Sequence, residues 1–297
     1  MLCNVPETIQ LGTFTPSVLL RVARRTGRLA GVGLDVAESP VASSPAQFAA
    51  LLDGSLDAVL TSPDNVLAYR YVAANPLGRT ADVRILSAVD RGMGLALYTR
   101  HSPAELRGAT FGVDVPDSGF AFAMYALAGS LGLARGDYSV VALGSTPKRL
   151  TALLDGECAA TMLNAGNELL AESAGYHAVA RAADVIRPYL GTVLAALRPT
   201  DATAALARAL TGTAAAITGG DLDAVVVEEA GAALNLDAGL AARYLTRLRA
   251  PAEGLVTDGV VDLASLHTLV DLRRRYAPAP AGDPLGQALD PGSGLVL

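Results

Sequence analysis

DVAESPVASSPAQFAALLDG at residues 35–54 and DYSVVALGSTPKRLTALLDG at residues 137–156 are two copies of one pattern, and they decide the fold. Asp35, Ser43, Ser44, Pro45 and Ala50-Leu51-Leu52-Asp53-Gly54 return 102 positions later as Asp137, Ser145, Thr146, Pro147 and Ala152-Leu153-Leu154-Asp155-Gly156. Ala58 then falls on Ala160 without a gap. Solenoid repeats have periods of roughly 20–50 residues, so a spacing this long marks two lobes of like build rather than a stack. Two lobes in one chain leave a cleft, and clefts between domains are where small ligands bind.

Working outward, residues 8–12 read as a strand. The turn Thr13-Phe14-Thr15-Pro16-Ser17 then opens a helix that stops near Gly27. Residues 34–38 form a second strand, and Ser43-Ser44-Pro45 caps a helix that Gly54 ends. Residues 57–60 form a third strand, the loop Thr61–Asn65 follows, and a helix runs through Tyr71. The order is β-α-β-α-β-α, the pattern of a mainly parallel sheet covered by helices. The second copy runs from Thr110 to Ala174 in the same order, with loops at Asp114–Gly119 and Asn164–Asn167. Ile85–Tyr98, with Asp90-Arg91-Gly92-Met93-Gly94 in its middle, reads as the first crossover between lobes, and Tyr189–Val193 as the return. Residues 200–276 read as three or four amphipathic helices packing back on the first lobe. The expected division is 1–90 plus 190–276 for lobe 1, 91–189 for lobe 2 and 277–297 for a C-terminal arm, either wrapping or disordered.

At 297 residues, 51% apolar and 18% charged, the chain can bury a core in each lobe. A net charge of −6 with Lys148 as the single lysine leaves no basic stripe for nucleic acid. Arg273-Arg274-Arg275 closes a helix, where cations suit the dipole. Two cysteines, Cys3 and Cys158, make neither a disulfide framework nor a zinc site. No apolar stretch reaches the roughly 20 residues of a membrane span, and no signal peptide is read after Met1. The expected location is therefore periplasmic or cell-surface if a signal has been removed, and cytoplasmic if Met1 is the true start.

These residues resemble a known family. Gly12–Asn65, Ser87–Gly92, Gly112–Phe122 and Leu143–Gly175 are similar to the type II periplasmic binding-protein fold. The nearest branch is the nitrate, sulfonate, taurine and thiamine-precursor group of ABC-transporter substrate-binding proteins. The marks are Ser-Ser-Pro opening a helix, the ALLDG-x-x-DAV lead into a strand, V-D-x-P-x-S-G in the second copy, and MLN followed by AESAG. The resemblance implies an α/β chain of two lobes, each a mainly parallel sheet covered by helices, with a ligand in the cleft and a permease as partner.

Ligands of such sheets bind outside the carboxyl ends of the strands. Those ends carry Thr13, Phe14 and Thr15, then Ser43 and Ser44, then Asp117, Ser118 and Gly119, then Ser145 and Thr146. Each group opens a helix and offers free N–H groups beside a positive dipole end, which favours an anion. As plain N-caps, Ser43 and Ser145 would need no ligand. Gly119 would let a ligand approach the backbone, and the resemblance implies a contact there. Arg91 is the expected fixed cation, or else a partner of Asp90. Ser62, Asp64 and Asn164 sit in the third-strand loops, and Phe120 and Tyr189 are expected as walls.

Some enzymes share this fold, including a chorismate dehydratase, aromatic decarboxylases, a sulfinate desulfinase and a pyrimidine-forming thiamine enzyme. Cys158 maps by the 102 offset onto Leu56 and Lys148 onto Ala46, so neither is expected to be catalytic. His101, His177 and His267 fall away from the strand ends, and no triad or metal-ligand spacing appears. A carboxylate among Asp64, Asp90, Asp114 and Asp117 still leaves open a cofactor-free lyase or decarboxylase. The expected function is capture of a small anionic organic ligand, sulfonate- or carboxylate-like, by hinge closure, without metal or cofactor. An intracellular lyase or decarboxylase and a ligand-sensing module are the alternatives.

Overall fold

The repeat survives in three dimensions as matched elements. The computed structural model describes residues 6–277 and 284–297. Its first copy comprises β1 (Glu7–Thr13), α1 (Val18–Arg25), β2 (Leu34–Pro40), α2 (Ser44–Asp53), β3 (Ala58–Thr61) and α3 (Pro63–Tyr71). β4 (Arg84–Asp90) and β5 (Ala96–Thr99) lead into the second copy. That copy holds β6 (Thr110–Val113), α4 (Gly119–Ser130), β7 (Ser139–Ala142), α5 (Thr146–Leu154), β8 (Ala160–Leu163) and α6 (Asn167–Ser173). β9 (His177–Arg181), the short α7 (Ala182–Val185) and β10 (Thr192–Ala196) return the chain. Four helices follow, α8 (Asp201–Gly219), α9 (Asp223–Leu234), α10 (Ala238–Arg249) and α11 (Leu263–Tyr276).

The two sheets have the same topology. Their strand orders are β2-β1-β3-β10-β4 and β7-β6-β8-β5-β9. In each, the first three strands are parallel, and the fourth is antiparallel to both neighbours. That fourth strand comes from the other half: β5 arrives after β4, and β10 after β9. The links between the sheets are therefore the segments from Asp90 to Ala96 and from Arg181 to Thr192, where the sequence places the crossovers.

Local chemistry explains the matched helices. Ser43 caps α2 with Pro45 in its first turn, and Gly54 ends it at φ 83°, a left-handed conformation that favours glycine. Ser145 and Pro147 stand at the matching start of α5, where Ser145 makes no side-chain cap hydrogen bond. The buried donors of the two copies also correspond. Gln47 Nε2 donates to Leu60 O at 3.1 Å, and its repeat mate Arg149 donates from Nε to Met162 O at 3.3 Å. Each ties its helix to the strand that ends at the cleft, satisfying a buried carbonyl.

The C-terminal helices do not all pack back on the first sheet. α8 lies against β4, β1 and α1, and α9 against α1, as expected. α10 also touches α6, and α11 packs between α3 and α4, one from each copy. Its Leu266, Leu269, Val270 and Leu272 join one apolar body that includes Phe48 and Ile85 of the first half and Phe111, Phe122 and Met162 of the second. Each such side chain contributes about 1.5–3 kcal/mol by leaving water. Beyond it, residues 284–297 form a wrapping arm. Ile85 N–H donates to Leu295 O at 2.8 Å, and Leu297 N–H donates to Ile85 O at 3.1 Å. The arm so covers the free edge of β4, an edge that is otherwise open to non-native pairing.

Candidate ligand-binding cleft

A cavity of about 80 Å³ lies between the carboxyl ends of the two sheets. Thr13, Phe14, Thr15, Thr61 and Ser62 line it from the first half, and Phe120, Thr146 and Asn164 from the second. Asp90, Met93, Gly191 and Thr192 of the crossovers and Tyr244 of α10 complete the wall. The halves touch across it. Ser145 N–H donates to Ala42 O at 3.1 Å, and Asn167 Nδ2 donates to Thr15 Oγ1 at 3.4 Å. The arrangement is a closed one, with room for a small molecule or head group. An apolar cavity able to accept benzene is about twice as large, near 150 Å³. A hollow of about 420 Å³ lies elsewhere, lined by Glu7, Leu51, Asp57 and Arg198. It abuts the start of β1, next to residues outside those described, and we assign it no role.

Seven of the residues expected from sequence meet at this cavity: Thr13, Phe14, Thr15, Ser62, Phe120, Thr146 and Asn164. The others sit outside it. Ser43 is the N-cap of α2, and Ser44 is buried near the Tyr69 hydroxyl. Ser145 makes the lobe contact just described. Ser118 accepts from Ala121 N–H at 3.1 Å as the α4 cap, and its hydroxyl donates to Asp114 Oδ1. Asp117 is exposed. Arg91 turns away, its Nη1 donating to Leu255 O at 3.2 Å. Tyr189 is buried against Gly92, behind the wall.

Asp64 and Gly119 hold the halves together. Asp64 is 1% exposed and accepts from Arg273 through both oxygens, at 2.8 and 2.5 Å. Arg273 also donates to Asp117 O at 3.4 Å and lies 4.9 Å from the centre of the Phe122 ring. A Cβ on Gly119 would meet Asp64 Cβ at 2.5 Å. Gly119 is therefore where α3 and α4 approach, and the space it leaves is filled by Asp64.

The protein's own acids already occupy two of the helix starts. Glu38 Oε1 accepts from the Thr13 hydroxyl at 2.9 Å and from Ser17 N–H at 2.7 Å, so the opening of α1 carries a carboxylate. Asp114 stands at the opening of α4, its pKa raised by burial against the opposing pull of Arg149. The charged residue among those lining the cavity is Asp90, 1% exposed. Its Oδ1 accepts from Gly92 N–H at 2.7 Å, while Oδ2 has no hydrogen-bond partner, although the Thr192 hydroxyl lies near the carboxylate. Burial pushes its pKa up to about 6. Glu168, fully buried against Gly94, is pushed up to about 7 by the same cause.

Residues not singled out by sequence also matter here. Arg149 is buried behind the cavity wall, donating to Thr146 Oγ1 at 3.0 Å and lying 5.9 Å from the Phe120 ring centre. Tyr244 comes from α10, far along the chain, and the pairing role of Arg273 exceeds a helix-end charge. Cys158 is buried beside Gly112, with its thiol pushed up to about 11 by burial. Lys148 and the three histidines are exposed. Cys3 lies outside the described residues, among which no cluster of metal-ligating side chains occurs. No single helix of the described residues is long and apolar enough to cross a membrane.

No protein-family model matches the sequence, and comparison with curated proteins finds no match. Solved structures do match. The alkanesulfonate-binding protein SsuA from Xanthomonas axonopodis pv. citri, bound to MOPS, superposes with TM-score 0.72 at 14% identity, over 94% of this chain and 98% of that one. The periplasmic nitrate-binding protein NrtA from Synechocystis PCC 6803 gives 0.73 at 13% identity, over 95% and 84%. A Candida albicans protein with the generic periplasmic binding-protein fold gives 0.73 at 14%, over 98% and 96%. At these identities the likeness speaks for architecture. Together with the two matching sheets and the exchanged antiparallel strands, it shows that the chain has the two-lobed type II periplasmic binding-protein fold.

Proposed function

We propose that this chain is a solute receptor that closes two lobes, 1–90 plus 190–276 and 91–189, over a small organic molecule. The observation that carries the reading is the cavity between facing strand ends, a mainly apolar space with hydroxyls and an amide at its wall and contacts from both halves around it. A molecule touching Thr13, Thr15 and Ser62 on one side and Thr146 and Asn164 on the other binds the closed form better, which shifts the population towards it. The segments around Asp90–Gly94 and Tyr189–Thr192 serve as the hinge. Transfer to an ABC permease, and a periplasmic or cell-surface location, follow from this role. Two of the similar structures bind alkanesulfonate and nitrate. An oxyanion in this chain would meet hydroxyls and amides, with Arg149 as a buried cation behind Thr146.

A thermal-shift screen of sulfonates, carboxylates and pyrimidines, followed by X-ray scattering, tests the reading. A hit should raise Tm and keep the protein compact under conditions that open the empty form. Failure of every compound to do so defeats it. Asp90, a buried acid at the cavity with its pKa pushed up to about 6, supports a lyase as second reading, since such a group serves as a general base. Conversion of a hit into product, followed by NMR, would decide for the enzyme.

A further inference from the structure

Resting on the receptor reading, we propose that the captured molecule carries a protonated nitrogen, and that this nitrogen pairs with Asp90 Oδ2 in the closed cleft. An ionised carboxylate out of water needs a partner of opposite charge or enough donors. Asp64 has Arg273, and Asp114 has the Ser118 hydroxyl with Arg149 nearby. Asp90 has one N–H on Oδ1 and nothing on Oδ2, yet it lines the cavity.

Among the described residues, no cation around Asp90 hydrogen-bonds its Oδ2. On its own side, the charge of Arg91 acts on Asp90 through space, but its Nη1 donates to Leu255 O, and Gly92 gives the N–H on Oδ1. From β10 comes the Thr192 hydroxyl. Tyr189 and Tyr244 feel the negative charge of Asp90, and burial keeps both phenols neutral. Beyond Tyr244 lies Glu168, a second buried acid whose Oε1 is likewise without a partner. Arg247, the nearest cation to Glu168, is paired with Glu253 at 2.7 Å. The first crossover is thus flanked by two buried carboxylates, and a cation arriving in the cavity meets Asp90 first. The hydroxyl and amide wall at Thr146 and Asn164, with Arg149 behind it, remains for an oxygen-rich opposite end. A small zwitterion satisfies both ends.

Four probes of similar length test this by calorimetric titration: 3-aminopropanoate, propanoate, propylammonium and propanol. The amine-bearing probes should bind at least tenfold tighter than their amine-free counterparts at pH 7. Their affinity should fall as pH drops through about 6, where Asp90 takes up its proton. Asp90→Asn keeps the shape and should erase both the preference and the pH dependence. Its Tm should match or exceed the parent's, because the amide oxygen still accepts from Gly92 N–H while the buried charge is gone. Propanoate binding as tightly as 3-aminopropanoate at pH 7, or 3-aminopropanoate binding more tightly at pH 5 than at pH 7, overturns the proposal and leaves a receptor with Asp90 as a neutral donor. An Asp90→Asn variant that keeps the amine preference overturns it too. Compaction by none of these probes and by no compound of the wider screen removes the receptor reading itself.

Discussion

Gly119→Ala separates closure from folding. In the closed arrangement the new methyl would stand 2.5 Å from Asp64 Cβ and 2.8 Å from both Cγ and Oδ2. Carbon contacts are comfortable at about 3.5–4.0 Å, so the overlap is roughly 1 Å. Asp64 cannot swing aside, because Arg273 holds both its oxygens and is itself 5% exposed against Phe122. Overpacking of this kind costs about 1–3 kcal/mol. The helix loses nothing, since Gly119 begins α4 without a positive φ and alanine is the better helix former. On the proposed opening of the cleft, the strain is relieved by parting α3 from α4. Affinity for a screening hit should therefore fall roughly 5- to 150-fold, the equivalent of that cost. The stability loss is capped at the small cost of opening. Calorimetry gives the affinity, X-ray scattering the mean opening of the empty protein, and thermal denaturation the stability. Unchanged affinity together with unchanged scattering would show that the Gly119–Asp64 approach has no part in closure. A stability loss larger than the affinity loss would make it a fixed core contact.

Other outcomes follow from the same geometry. Arg273→Met leaves Asp64 as an uncompensated buried charge and should cost about 3–5 kcal/mol in urea denaturation, with Arg273→Met/Asp64→Asn recovering a large share; a single variant as stable as the parent refutes the pairing. The empty protein should lose stability as pH rises from about 4 to about 7. Asp90 and Glu168 hold protons in the folded state that they release in the unfolded one, so their contribution is full below their ordinary pKa values and lost through about 6 and 7. The difference in stability between parent and Asp90→Asn, followed against pH, should change by about 3 kcal/mol over this window, and a flat difference contradicts the burial argument. Cys158→Ala and Lys148→Ala should leave affinity within a few-fold, and iodoacetamide should not label native Cys158 at pH 8. A hundredfold loss, about 2.7 kcal/mol, in either variant would return both residues to the list of catalytic candidates.

What could be read from sequence was whatever chemistry is local. The cap-then-proline starts at Ser43, Ser62 and Ser145 and the left-handed stop at Gly54 declare helices within a few residues. The 102-residue offset places β8 on β3 at both ends. Which caps face the cavity is a long-range matter. Thr13 lines it while its hydroxyl serves Glu38, and Ser118 is turned to Asp114. Asp64 and Arg273 are 209 positions apart, so no window joins them. A signal was nevertheless present: Leu266, Leu269, Val270 and Arg273 follow the i, i+3, i+4, i+7 spacing of a buried helix face. Thr146, Arg149, Leu150 and Leu153 do the same on α5. A cation written into an apolar stripe forecasts a buried partner or carbonyl, which a count of helix-end charges conceals.

The buried acids divide by what answers them, and the division follows the proposed motion. Asp64 and Asp114 are answered from within, by Arg273 and by Ser118 beside Arg149, and they lie where α3 and α4 meet when the cleft is shut. Asp90 and Glu168 are not fully answered, and they flank the crossover about which the halves turn. An empty closed form therefore carries a penalty at the hinge that opening and hydration relieve, while the latch at Gly119 favours closing. On the proposed pairing, the balance is set against closure until a cation or proton reaches Asp90. Capture then needs no separate signal from ligand to hinge, because the group that meets the ligand is itself the last residue of β4, at the start of the crossover.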